Sequence, residues 1–161
     1  MPRENQILSV GDRAPDFALP DPRTGKVMQL SDLLETHLLL YFARGTWCPT
    51  CRKWMEGIRE HLSELEARNC AAVTIMAQKP DRMRAALEER GFPFPVLADA
   101  DRSVSKAYGV YVRANFESIN IARPANFVLD RDGVIRYMHI ATIQTEYASL
   151  DDILATLDGL P

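Results

Sequence analysis

The passage from Leu38 to Asn69 constrains this chain more than any other. It opens with LLLYFA (Leu38 to Ala43), an unbroken apolar run bounded by Arg44 and Gly45. Such a run reads as a strand covered on both faces, as in a parallel sheet. GTWCPTC follows at once, and beyond it Trp54, Ile58, Leu62 and Leu65 recur at helical spacing to about Asn69. A buried strand turning directly into an amphipathic helix is a building unit of α/β layers. The two cysteines of C-x-x-C lie at that junction, Cys48 in the turn and Cys51 one helical turn further in.

Position decides what those thiols can do. Pro49 suits the first helical turn, where no backbone N–H is needed. A thiolate at Cys48 would face unpaired N–H groups and the positive end of the helix dipole. Cysteines in such settings have pKa values of roughly 3.5 to 7.5, against about 8.5 for a free thiol. Cys48 is therefore the expected nucleophile. Helical neighbours at the spacing of Cys51 have Cβ atoms about 5 to 6 Å apart, so a modest rotation closes a disulfide. Cys51, deeper in the helix, suits a resolving role.

Other residues carry two readings. Trp47 is either an aromatic packed at the sheet edge or a lid that limits water and shapes partner contact. Trp54 lies on the apolar stripe of the helix and is read as core. Cys70 opens an apolar stretch and is read as a small buried hydrophobe. Arg44 and Arg123 are surface charges by default, yet either can lower the thiol pKa by placing a guanidinium beside it. Composition makes Pro124 an ordinary turn proline. A zinc half-site is the rival reading of C-x-x-C, but it needs two more ligands. Cys70, His37, His61 and His139 are scattered and form no second knuckle. The three histidines have no acidic partner in sequence, which gives a Cys–His hydrolase little support.

Along the rest of the chain, residues 1 to 36 form a preamble. Phe17 to Leu19 and Lys26 to Leu30 read as short strands around the turn Pro20 to Gly25, and Ser31 as the cap of a brief helical turn with Asp32 inside it. Ala71 to Ala77 reads as a strand, Asp81 to Arg90 as a helix stopped by Gly91, and Phe92 to Pro95 as a proline-punctuated link. Val96 to Ala98 is a short strand and Ser103 to Tyr108 a short helix ended by Gly109. Residues 110 to 122 show no clear period. Asn126 to Leu129 and Val134 to Ile140 read as a hairpin across the turn Asp130 to Gly133. Ser149 caps a last helix to about Leu157, with Asp151 and Asp152 in its first turn. Strands alternating with helices, closed by a hairpin, predict an α/β fold with a central mixed sheet flanked by helices.

The 161 residues make one domain, 1–161, able to bury a core without disulfides or metals, which leaves a cysteine pair free for chemistry. A net charge of -3, without any basic stripe, argues against nucleic acid as a partner. Three cysteines, an odd and sparse set, do not suit a secreted disulfide scaffold. The N-terminus has no apolar h-region, and the longest apolar run is far short of a membrane span. A cytoplasmic protein with no membrane partner is the expectation.

Four segments also carry a family resemblance. FARGTWCPTCRKWMEGI resembles the strand-loop-helix of the thioredoxin superfamily, and within it the redoxin branch, the alkyl hydroperoxide reductase/thiol-specific antioxidant or peroxiredoxin-like proteins. GDRAPDFALPDPRTGKVMQLSDL, GFPFPVLADADRSVSKAYGV and RPANFVLDRDGVIRY resemble that family's opening, middle and approach to its closing hairpin, so the resemblance runs from about Gly11 to Leu157. It implies a thioredoxin-like fold with an N-terminal extension and no cofactor. It implies that Cys48 reduces a hydroperoxide and becomes a sulfenic acid, that Cys51 resolves it as a disulfide, and that an external dithiol, such as a thioredoxin-like partner, reduces the pair. Thr46, Trp47, Pro49, Arg123 and Pro124 are the implied neighbours of the site.

The sequence also departs from the family pattern. Peroxiredoxins carry Pro, then Thr or Ser four residues later, then the attacking Cys after three more; here those positions hold Tyr41 and Gly45, and Thr46 is shifted by one. Pro124 matches the cis-proline position of thioredoxins, where many peroxiredoxins carry an arginine, and Arg123 is adjacent to it. Thiol peroxidase and thiol-disulfide oxidoreductase are thus both open, with a non-catalytic metal-binding module as a third class. Oligomeric state, including a homo-oligomer, is left open too.

Overall fold

The computed structural model describes residues 5–114, 119–143 and 146–161. Its centre is a five-stranded mixed sheet. β3 (His37–Ala43), β4 (Cys70–Met76) and β5 (Val96–Ala98) run parallel, while β8 (Ala125–Leu129) and β9 (Ile135–Ile140) are antiparallel, in the order β5-β4-β3-β8-β9. Every residue of β3 is buried, as its apolar run predicts for a central strand. Period-two alternation divides that run between two cores. Leu39, Tyr41 and Ala43 face one core with α2 (Pro49–Glu60), α3 (Leu62–Ala67), α4 (Pro80–Arg90) and α6 (Leu150–Asp158). Leu38, Leu40 and Phe42 face the other, which the preamble and α5 (Ser103–Ala107) cover through Phe17, Leu19, Leu30, Val104 and Tyr108.

The preamble holds a small antiparallel pair, β1 (Ala18–Pro20) and β2 (Val27–Gln29), followed by α1 (Leu30–Leu33). The cap of α1 is Gln29 without a side-chain bond, so Ser31 is not the cap and lies inside the turn. Gly91, at φ 60, closes α4 in the left-handed region as anticipated. Ser149 Oγ accepts from the Asp152 N–H at 3.2 Å and caps α6. At the β8–β9 turn the buried Asp130 carboxylate accepts from the N–H groups of Asp132 (2.9 Å) and Val134 (3.0 Å) and from Arg136 Nε (2.7 Å). Burial opposes ionisation there, but these donors hold the carboxyl below its usual range.

Three further features differ from the sequence expectations or add to them. The single helix expected to reach Asn69 is broken at His61, whose backbone N–H and ring Nδ1 both reach back to the Gly57 carbonyl. The stretch 110 to 122 contains an antiparallel pair, β6 (Tyr111–Ala114) and β7 (Ile119–Ala122), with residues 115–118 outside the described residues. Trp54 is half-buried against the first core and is not a full member of it. Among the described residues no helix is long and apolar enough to cross a membrane.

Candidate active site

The C-terminal end of β3 delivers the cysteine motif, where α/β sheets place their binding crevices. Cys48 is the N-cap of α2 and Pro49 stands in the first turn. The cap is made by sulfur: the Cys51 backbone N–H donates to Cys48 Sγ at 3.3 Å. Thr50 Oγ1 is in hydrogen-bond contact with the same sulfur at 3.2 Å. Arg44, the first residue past β3, is buried and brings Nη1 to 3.9 Å from Cys48 Sγ. Its backbone N–H donates to Cys51 Sγ at 3.4 Å. Both thiols are 0% exposed.

These contacts separate two chemically identical side chains. The hydrogen bond from the Cys51 thiol, stronger than the opposing burial, lowers Cys48 from 9.0 to about 5, with help from Thr50, the Cys51 N–H and the Arg44 charge. The same bond, together with burial, pushes Cys51 far upward. Tyr41, itself raised by burial, hydrogen-bonds Cys51 from the β3 side. At neutral pH the pair is one thiolate and one thiol, the distribution expected of an attacking and a resolving cysteine.

Beside the motif lies a small pocket lined by Tyr41, Thr50, Trp54, Pro124, Asn126, His139, Glu146 and Tyr147. Its walls are tied together. Trp54 Nε1 donates to Asn126 Oδ1 at 3.0 Å and its ring stacks on Tyr147 at 5.9 Å. The Tyr147 hydroxyl donates to the Thr50 carbonyl at 3.4 Å. His139 Nε2 lies 3.3 Å from Glu146 Oε2, an acidic neighbour in space that the sequence does not reveal.

The residues singled out from sequence fall differently around this site. Arg44 supplies the guanidinium at Cys48 and is no surface charge. Arg123 is exposed, and its backbone N–H donates to the Val110 carbonyl at 2.7 Å. Pro124 lines the pocket behind a trans peptide bond, and its carbonyl accepts from the Ala141 N–H at 2.8 Å, continuing the β8–β9 ladder. Thr46 is held by its backbone, its N–H donating to Gln78 Oε1 at 2.9 Å and its carbonyl accepting from Arg52 Nη1 at 3.2 Å. Trp47 is 44% exposed and lies over the Arg44 guanidinium, 4.8 Å from Cζ to the ring centroid. Cys70 lies in β4 and its thiol is pushed up to about 12 by burial. Thr50, Tyr41, Asn126 and Tyr147 were not anticipated. Only Thr50 had a signal, a hydroxyl inside the C-x-x-C itself. Among the described residues no three of His, Cys, Asp or Glu come together to hold a metal ion.

Comparison with known proteins places the chain in a family. Residues 10–138 match the model of the AhpC/TSA family. The chain is 34% identical over 133 residues to alkyl hydroperoxide reductase E of Mycobacterium tuberculosis, covering 81% of this chain and 84% of that protein. It is 29% identical over 133 residues to peroxiredoxin Bcp of Escherichia coli, covering 81% and 85%. The crystal structure of peroxidoxin BcpB from Mycobacterium tuberculosis superposes with a TM-score of 0.83 at 27% identity, covering 96% of this chain and 99% of that one. The fold is thioredoxin-like, preceded by an N-terminal extension that carries the separate β1–β2 pair.

Proposed function

This chain belongs to the AhpC/TSA family, and from that premise we propose that it is a peroxiredoxin-like thiol peroxidase with Cys48 as the attacking thiolate and Cys51 as the resolving thiol. The observation that carries the assignment is the seat of Cys48 Sγ at the N-cap of α2, accepting the Cys51 N–H at 3.3 Å with Arg44 Nη1 3.9 Å away, in a chain of this family. The Cys48 thiolate attacks the terminal hydroperoxide oxygen and gives two electrons to the O–O bond. Sulfur becomes a sulfenic acid that keeps the peroxide's hydrogen, and the departing oxygen takes one proton from solvent and leaves as the alcohol or water. Arg44, close to the sulfur, offsets the negative charge that builds on the departing oxygen. Cys51 sulfur then attacks the Cys48 sulfur, water leaves and the disulfide forms. A thioredoxin-like dithiol outside this chain returns both thiols. The domain spans 1–161 and works in the cytoplasm.

The same pair, one helical turn apart, also suits exchange with a disulfide, and one experiment separates the readings. Reduced protein is mixed with hydrogen peroxide in a stopped-flow instrument while the fluorescence of Trp47 and Trp54 is followed. The peroxidase gives a fast, peroxide-dependent change that vanishes in Cys48→Ser, with sulfenic acid trapped in Cys51→Ser. A peroxide reaction no faster than that of free cysteine, with rapid insulin reduction, makes the protein a disulfide reductase.

A further inference from the structure

Gly45, where the family pattern carries Thr or Ser, has no room for a side chain unless Trp47 moves. A Cβ built on Gly45 meets Trp47 Nε1 at 2.4 Å and two further indole carbons at 3.0 Å. The indole occupies the space a side chain at 45 needs, and Thr46 is anchored by its backbone to Gln78 and Arg52. A hydroxyl does reach the sulfur at Thr50 Oγ1 in the first turn of α2, 3.2 Å away. Thr50 also lines the pocket with Tyr41, Trp54, Asn126 and Tyr147, and Tyr147 holds its carbonyl. The hydroxyl therefore stands between the pocket and the reacting atom.

We infer that Thr50 is a catalytic residue of the peroxide reaction, its hydroxyl donating to the Cys48 thiolate at rest and hydrogen-bonding the attacked peroxide oxygen during O–O cleavage. The inference rests on the peroxidase reading above. A hydroxyl can do both because it carries one rotatable donor and two acceptor lone pairs. As sulfur's electron pair is committed to the new S–O bond, the Thr50 O–H turns from sulfur to oxygen. Its lone pair accepts the peroxide O–H and aligns the O–O bond with the sulfur. Arg44 Nη1, 3.9 Å from the same sulfur, brings the positive charge that offsets the departing oxygen. Approach then runs through the Thr50 pocket, and the stacked Trp54 and Tyr147 rings form its wall.

The test compares Thr50→Val, nearly isosteric but without the hydroxyl, with Thr50→Ser. Each variant is reacted near pH 8 with hydrogen peroxide and, separately, with iodoacetamide, whose attack needs only the thiolate. The expected result is a ratio of peroxide rate to alkylation rate about tenfold or more below wild type in Thr50→Val, restored to within about threefold in Thr50→Ser. A purely structural role for Thr50 moves both rates together and leaves the ratio unchanged. A Thr50→Val ratio within about twofold of wild type overturns the inference while leaving the peroxidase reading intact. A wild-type peroxide rate no faster than that of free cysteine overturns both. Thr50→Ala, read by the same ratio, serves if the valine variant does not fold.

Discussion

Replacing Cys51 by alanine isolates the bond that does most to ionise Cys48. The Cys51 thiol donates to a sulfur whose other partners are the Cys51 N–H, Thr50 and, further out, Arg44. A hydrogen bond to a charged group contributes roughly 1.5–3 kcal/mol, and 1.36 kcal/mol corresponds to one pH unit, so losing this donor moves the Cys48 midpoint up by about one to two pH units. From about 5 in the wild type, the midpoint rises to roughly 6 to 7. Alkylation of Cys48 near pH 6 then slows by roughly two- to tenfold, while rates near pH 9 converge because both proteins are fully ionised. Iodoacetamide labelling followed by mass spectrometry across that range reads the midpoint directly. Cys51→Ser retains a donor and a partner for the Arg44 N–H, so its midpoint stays nearer the wild type. Cys51→Ala removes the sulfur to which the Arg44 N–H donates and leaves a smaller side chain in the first core, a cost of about 1–3 kcal/mol, so circular dichroism must confirm folding. A midpoint unchanged in a folded Cys51→Ala protein would refute the reasoning and give the ionisation to the helix terminus and Arg44.

Two further predictions concern residues away from the reacting atoms. Cys70→Ala leaves the peroxide rate within about twofold of wild type at a cost of about 1 kcal/mol in urea unfolding, since this thiol is buried and raised to about 12; a large loss of turnover in folded protein would mean Cys70 takes part. Asp130→Asn lowers stability near neutral pH by about 1–3 kcal/mol, because three donors lose a charged acceptor. The Asp130 carboxyl is held below its unfolded value of about 3.9, so its contribution is present above that pH and fades as pH falls through the folded value. Urea midpoints for the two proteins should therefore approach each other in acid, and a constant gap would remove the charge from the explanation.

What the sequence made legible follows the range of the forces involved. β3, β4 and β8 were readable because continuous apolar runs announce burial, and α4 and α6 because Gly91 and Ser149 act on their own helices. The break at His61 was not readable, because the helical period runs straight through it and a ring bond to Gly57 decides the outcome. Trp54 lay on an apolar stripe, yet its indole N–H found Asn126 seventy-two positions away and stayed at the pocket rim. Arg44 carried two readings, a surface charge or a guanidinium beside the thiolate, and only the fold decides for the second, because its place past β3 puts it against Trp47 and the cysteines. The contact of His139 Nε2 with Glu146 Oε2 joins the end of β9 to the segment before α6, a meeting no spacing rule anticipates. The nucleophile was legible because its activation is local, while the pocket around it is assembled from β3, α2, β8, β9 and the segment before α6.

The complete burial of Cys48 has a kinetic consequence. A reagent meets this sulfur only in the fraction of molecules whose cover has moved aside, so every measured rate is a product of thiolate fraction and open fraction. The pH of the solution governs the first factor. Movement of the walls of the Thr50 pocket, the stacked Trp54 and Tyr147 rings among them, governs the second, and an opening that costs about 1.4 kcal/mol slows the reagent it admits by about tenfold at any pH. Reagents of different girth need openings of different size, so the fold ranks them by width before the sulfur ranks them by chemistry.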